Sequence, residues 1–119
     1  MVKVELIDKN RNYKETVELK DKPYTVQRAT NGLENTTLIN IVYANPDPEA
    51  DPDVNLILLY NKMQEIGIGN LSVKVYKGEV MVGELPTVMS YNYNINPTSH
   101  RNVSVLEETL TFVAFKENE

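Results

Sequence analysis

The chain has 119 residues and a formal charge of −5, from 12 basic and 17 acidic side chains, with 41% hydrophobic and 24% charged residues. A length of this order closes one hydrophobic core, so a single domain over 1–119 is expected and global disorder is excluded. With no cysteine and one histidine, a disulfide framework and a thiolate metal site are excluded, and net acidity without a Lys/Arg cluster argues against phosphate-backbone tracking or sequence-specific nucleic acid binding.

Val2, Val4 and Leu6 alternate with Lys3 and Glu5, the period-two signature of a half-buried strand. The polar run 8–12 then turns the chain, and residues 13–19 carry Val17 and Leu19 on one parity, so a first hairpin is expected. Residues 24–30 read as an edge strand behind Pro23, and Asn31-Gly32 offers residues that tolerate positive φ in a hairpin turn. Residues 37–44 are strongly β-prone with apolar side chains on both parities, which predicts a central strand or one with a face on a partner.

The segment 45–53 carries Pro46, Pro48 and Pro52 among Asp47, Glu49, Asp51 and Asp53. Three prolines exclude a central strand or a helix interior, so an extended acidic loop is expected. It leads into a helix over about 53–66, with Asp51 predicted as its cap and Pro52 at its first position. Leu56, Leu59, Tyr60 and Met63 follow the i, i+3, i+4, i+7 pattern, and Gly67 and Gly69 stop the helix.

From Leu71 the period returns to two. Leu71, Val73 and Val75 share a face, a turn follows at 77–79, and Val80 and Val82 continue the hairpin. Residues 87–94 form a strand with Met89, Tyr91 and Tyr93 on one parity, and 94–102 read as a loop around Pro97. The last strand, 102–115, places Leu106, Leu110 and Phe112 on its even parity and Thr109, Thr111 and Val113 on its odd parity. The expected fold is mainly β (α+β): two packed antiparallel sheets, as a sandwich or barrel-like, with one short helix.

Residues capable of chemistry are sparse. His100 is the one imidazole and sits beside Ser99 with no orienting partner in sight, so no catalytic role is assigned to it. Asp47, Glu49, Asp51, Asp53 and Asn55 alternate as in a calcium loop but lack its central glycine and terminal glutamate; a solvated loop that ends in a helix cap accounts for them better. Glu107 and Glu108 are strand neighbours and point to opposite faces. Tyr91 and Tyr93 have the spacing of a base-stacking platform without the basic neighbours it needs. The expectation is no enzyme, no cofactor and no metal. No run reaches the roughly 20 apolar residues of a membrane span, and the first residues lack the apolar core of a signal peptide, so no membrane association is expected.

Assembly is the stronger reading. Two long strands with side chains for both faces offer more β surface than one helix covers, and their edges must be managed. The interface candidates are Thr37, Ile39, Ile41, Tyr43, Tyr91, Tyr93, Thr109 and Thr111. A small β-rich binding or adaptor module is the alternative, with a calcium-binding or hydrolytic domain behind it.

In layout the chain resembles the tube-forming proteins of bacteriophage tails, a superfamily that includes the tube protein of the type VI secretion system. The resemblance rests on an N-terminal β region, a short helix at 54–66, the β run Leu71-Ser72-Val73-Lys74-Val75-Tyr76 through Pro86-Thr87-Val88, and the closing Leu106-Glu107-Glu108-Thr109-Leu110-Thr111-Phe112. It implies two sheets packed beside a helix and subunits that close into rings, commonly of six, stacked around a channel. It further implies a non-enzymatic tail tube, baseplate or tail-completion protein whose partners are copies of itself or other tail proteins. The channel would pass DNA without holding it, and the protein would reside in the host cytoplasm during assembly and then in the virion or tail-like particle. The family has no catalytic residues to carry over, so only surfaces transfer, around 37–44 and 71–82.

Overall fold

The computed structural model describes residues 1–19, 22–33, 35–47, 51–100 and 103–115. Eight strands and one helix follow in the order β1 (Val2–Asp8), β2 (Tyr13–Leu19), β3 (Thr25–Asn31), β4 (Thr36–Asn45), α1 (Val54–Ile66), β5 (Leu71–Lys77), β6 (Val80–Leu85), β7 (Val88–His100) and β8 (Val103–Phe115). They form two four-stranded antiparallel sheets, sheet A with strand order β2-β1-β5-β6 and sheet B with order β3-β4-β8-β7. This is a sandwich and not a closed barrel.

The chain deals out hairpins alternately. β1–β2 goes to sheet A and β3–β4 to sheet B; after the helix, β5–β6 goes to sheet A and β7–β8 to sheet B. Each half of the chain thus gives one hairpin to each sheet, and the halves meet along the central pairs β1:β5 and β4:β8. No sequence repeat announces this, because the pattern lies in connectivity and not in residue identity.

The core fills the space between the sheets. Sheet A contributes Val2, Val4, Leu6, Val17, Leu19, Leu71, Val73, Val75 and Leu85, all buried. Sheet B contributes Ile39, Ile41, Tyr43, Val88, Leu110, Phe112 and Ala114. The helix adds Leu56, Leu59 and Met63, with Tyr60 packed at the margin. It lies along one side of the sandwich, where Lys62 pairs with Glu15 of β2 and the Tyr60 ring meets Tyr91 of β7 at 5.5 Å, edge to face.

Four details depart from the sequence reading. The helix cap is Asp53 and not Asp51: its backbone is extended (φ −64°, ψ 120°) and its side chain accepts the N–H of Leu56. Pro52 therefore precedes the cap and Asp51 is exposed. Among the described residues of the β3–β4 turn, the one with positive φ is Asn35 (φ 54°), beyond the Asn31-Gly32 pair. β7 continues through 94–100, which reads as a loop in sequence; Pro97 is tolerated there because β7 is an edge strand, paired only with β8. Finally, a bulge between Val75 and Tyr76 shifts the β5–β6 register, so Gly83 and Leu85 face inward while Val80 is exposed.

Candidate functional site

The densest polar constellation joins the helix N-terminus to sheet B. Asp53 Oδ1 accepts from Lys22 Nζ at 2.7 Å, and its Oδ2 accepts from the Tyr24 hydroxyl at 2.6 Å and the Leu56 N–H at 3.3 Å. The Asp53 N–H donates to Glu108 Oε1 at 2.7 Å, and the Tyr93 hydroxyl donates to the same oxygen. Asn55 Nδ2 donates to the Tyr24 hydroxyl at 3.1 Å, and Lys22 Nζ lies 5.0 Å from the centre of the Tyr43 ring.

Burial first, then the hydrogen bond to Asp53, pushes the Tyr24 phenol above its ordinary range; burial and Glu108 do the same to Tyr93. The hydrogen bond from Lys22 to Asp53 raises the lysine. Asp53 and Glu108 are 1% and 0% exposed, so no substrate reaches either carboxylate. Glu108 Oε2 is buried with no hydrogen-bond partner among the described residues. The constellation is a latch that ties α1 to the segment leading into β3 and to β7 and β8.

The remaining chemical candidates are dispersed. Among the described residues no three His, Cys, Asp or Glu side chains come together. Glu49 lies outside the described residues, and His100 ends β7 with its side chain outside them as well. Glu107 and Glu108 take opposite faces, paired with Ala44 and Tyr43 respectively. A groove of about 320 Å³ between the β1–β2 turn and the helix C-terminus is lined by charged side chains, four of which pair with one another, Arg11 with Asp8 at 3.7 Å and Lys62 with Glu15 at 2.5 Å, beside Glu65.

The two outer sheet faces differ sharply. On sheet A, register sets Lys3 opposite Glu18, Glu5 opposite Lys74 and Lys74 opposite Glu84, and Lys14 Nζ reaches Glu5 Oε2 at 3.3 Å. Cross-strand charges of alternating sign are the mark of a face adapted to water. On sheet B, burial alternates along β4, with Thr37, Ile39, Ile41, Tyr43 and Asn45 buried and the positions between them outside. The outward positions are Leu38, Asn40, Val42 and Ala44, paired with Val113, Thr111, Thr109 and Glu107 of β8. Ser90, Asn92 and Asn94 flank them on β7, and Thr25, Gln27 and Ala29 on β3. Glu107, at one end, is the single charged side chain among these positions. In a chain that is 24% charged, a four-stranded face with one charge is the most distinctive surface of the molecule.

The interface candidates read from sequence divide between the two sides of sheet B. Thr109 and Thr111 lie on the uncharged outer face, where the Thr111 hydroxyl donates to Asn40 Oδ1 at 2.6 Å. Thr37, Ile39, Ile41 and Tyr43 are instead buried between the sheets, so in the folded chain they present nothing to a partner. Tyr91 and Tyr93 also face inward, paired with Phe112 and Leu110 and covered by Tyr60. The outward residues of β4 were missed because both parities of that strand are apolar. The signal lay in β8: once its even parity is placed in the core, the pairing of Ile39 with Phe112 and Ile41 with Leu110 puts the odd parity of β4 there too.

No helix among the described residues is long and apolar enough to cross a membrane. No protein-family model, curated protein or solved structure matches this chain significantly.

Proposed function

We propose that this chain is a non-enzymatic structural subunit that self-associates through a β surface, of the kind used by tail tube, baseplate or tail-completion proteins in phage-tail-like particles. The observation that carries the proposal is the uncharged outer face of sheet B, set against a sheet A whose outer face is laced with charge pairs. Its outward positions are mostly Ser, Thr, Asn and Gln, with an apolar minority of Leu38, Val42, Ala44, Val113 and Ala29, and charge depletion is the compositional mark of an interface core. The two-sheet architecture beside a single helix agrees with what the tail-tube resemblance implies. The buried latch holds the helix onto sheet B from the inner side, which leaves the outer side free.

Light scattering across a concentration series, followed by electron microscopy of the concentrated protein, tests this reading. Rings, tubes or discrete oligomers are the expected result, and a persistent monomer would count against it. A second reading, a small binding module, draws on the groove between the β1–β2 turn and the helix C-terminus, where four of the charged lining side chains are taken up in the pairs Arg11–Asp8 and Lys62–Glu15.

A further inference from the structure

Building on the self-association reading, we infer that the contact is face to face: the outer face of sheet B packs against the same face of a second copy, and the sheet edges do not pair. The first argument is charge. Among the described outward positions there is no lysine or arginine to hold a phosphate or an acidic partner, and Glu107, at one end, is the one group for a basic one. The surface that suits it is another uncharged pleated face, and the chain itself supplies one. Two copies of this face bring together no like charges at their centre, although the chain as a whole carries −5 and would otherwise repel itself.

The second argument is the state of the edges. β2 carries Lys14, Glu15 and Glu18 along its length, β6 is six residues long and bulged, and β7 contains a register shift near Val88 and a proline at position 97. Charges, shortness, bulges and proline are the devices by which sheets refuse edge-to-edge pairing. Only β3 lacks most of them.

The third argument is area and relief. From Glu107 to Phe115 the face is about 27 Å long, and four strands make it about 19 Å wide. That gives about 510 Å² per copy and about 1,020 Å² in all, at the roughly 1,000 Å² a specific contact needs. At the β3 edge of the face is a groove of about 300 Å³, lined by Ala29, Thr30, Asn31, Thr36, Leu38 and Val113, with the exposed Phe115 paired beside it to Thr36. Relief of this kind gives a second copy side-chain positions to fill, which a flat face would not.

The absence of cysteine makes a clean experiment available. Thr111→Cys, at the centre of the face, and Thr16→Cys, on the outer face of sheet A, are each oxidised in solution, and Thr111→Lys is examined beside them by sedimentation. The expected result is intermolecular disulfide at position 111 and none at 16, with Thr111→Lys associating at least about tenfold more weakly, because a lysine placed there is desolvated without a counter-charge. If the parent associates while position 111 does not cross-link and Thr111→Lys associates as the parent does, the face-to-face inference is overturned and the self-association reading stands. If the parent remains monomeric throughout, both are overturned. The cysteine variant differs from the parent by little volume, so the test holds even where the lysine variant fails to fold.

Discussion

Gly83 of β6 lies in close contact with sheet B, facing Ile39 of β4 and Arg28 of β3. A Cβ built there would lie 2.6 Å from Ile39 Cδ1, 3.4 Å from Ile39 Cγ1 and 3.5 Å from Arg28 Cδ. Its φ lies outside the left-handed region, so the backbone accepts alanine and the penalty of Gly83→Ala is purely one of space. Ile39 is fully buried and cannot swing into solvent, so the added methyl should cost about 1–3 kcal/mol, the range for overpacking a filled core. Ile39→Val removes the offending Cδ1 and alone should cost about 0.5–1.5 kcal/mol. Together the two changes relieve each other, because the new methyl occupies the space the lost one vacates. The double variant should therefore be less destabilised than the sum of the singles by at least about 0.5 kcal/mol. Urea unfolding followed by tyrosine fluorescence, with the m-value unchanged, measures all three. If the effects simply add, or if Gly83→Ala is silent, the sheets are not in contact at this point and the packing described for the β3/β6 side is wrong.

Other expectations follow from the latch and the core. Asp53→Ala removes the helix cap and strands Lys22 and Tyr24, so its cost should exceed the roughly 1 kcal/mol of a lost cap; Asp53→Asn, which still caps, should cost less, as paired thermal melts would show. Glu108→Ala leaves the Asp53 N–H and the Tyr93 hydroxyl without an acceptor in the interior and should cost about 2–5 kcal/mol, whereas Glu108→Gln keeps an acceptor and removes a buried charge, so it should stay within about 1 kcal/mol of the parent. In alkali, Tyr24 and Tyr93 should be the last of the seven tyrosines to ionise. Their folded values are raised, so the stability they contribute is complete below the ordinary tyrosine pKa of about 10 and is lost as pH climbs through the folded values. Ultraviolet titration alongside near-ultraviolet circular dichroism should show late ionisation coinciding with loss of tertiary structure; complete titration of all seven in the ordinary range with the fold intact would contradict it. Phe112→Ala, in the C-terminal half of β8 and fully buried, should cost about 3–5 kcal/mol.

Much of this fold was legible in the chain because its strands alternate cleanly. Val2-Val4-Leu6 and Leu71-Val73-Val75 announce the two central strands of sheet A, and Leu56, Leu59 and Met63 announce the buried stripe of the helix. Legibility ended where one residue had competing uses. Asp51 and Asp53 are both cap formers, and the choice fell to Asp53 through Lys22, Tyr24 and Glu108, partners 31, 29 and 55 residues away that no local pattern reveals. Pro97 reads as a loop because proline cannot sit in a central strand, but it is admitted by an edge, and only topology says which strand is an edge. The same holds for the interface: Thr109 and Thr111 were reached from β8, whose parities differ in polarity, while Leu38, Asn40 and Val42 were hidden in a strand apolar on both sides. The uncharged face exists only once four strands, spread over residues 25–115, are laid side by side.

Sedimentation velocity of the unmodified protein, from low to high micromolar concentration and at low and high salt, tests the central claim most directly. A contact made by an uncharged sheet face should yield a dimer whose fraction rises with concentration and persists, or increases, as salt is raised, because no ion pairs are there to be screened. A single species of 13.6 kDa at every concentration, or an oligomer that dissolves in salt, would contradict it.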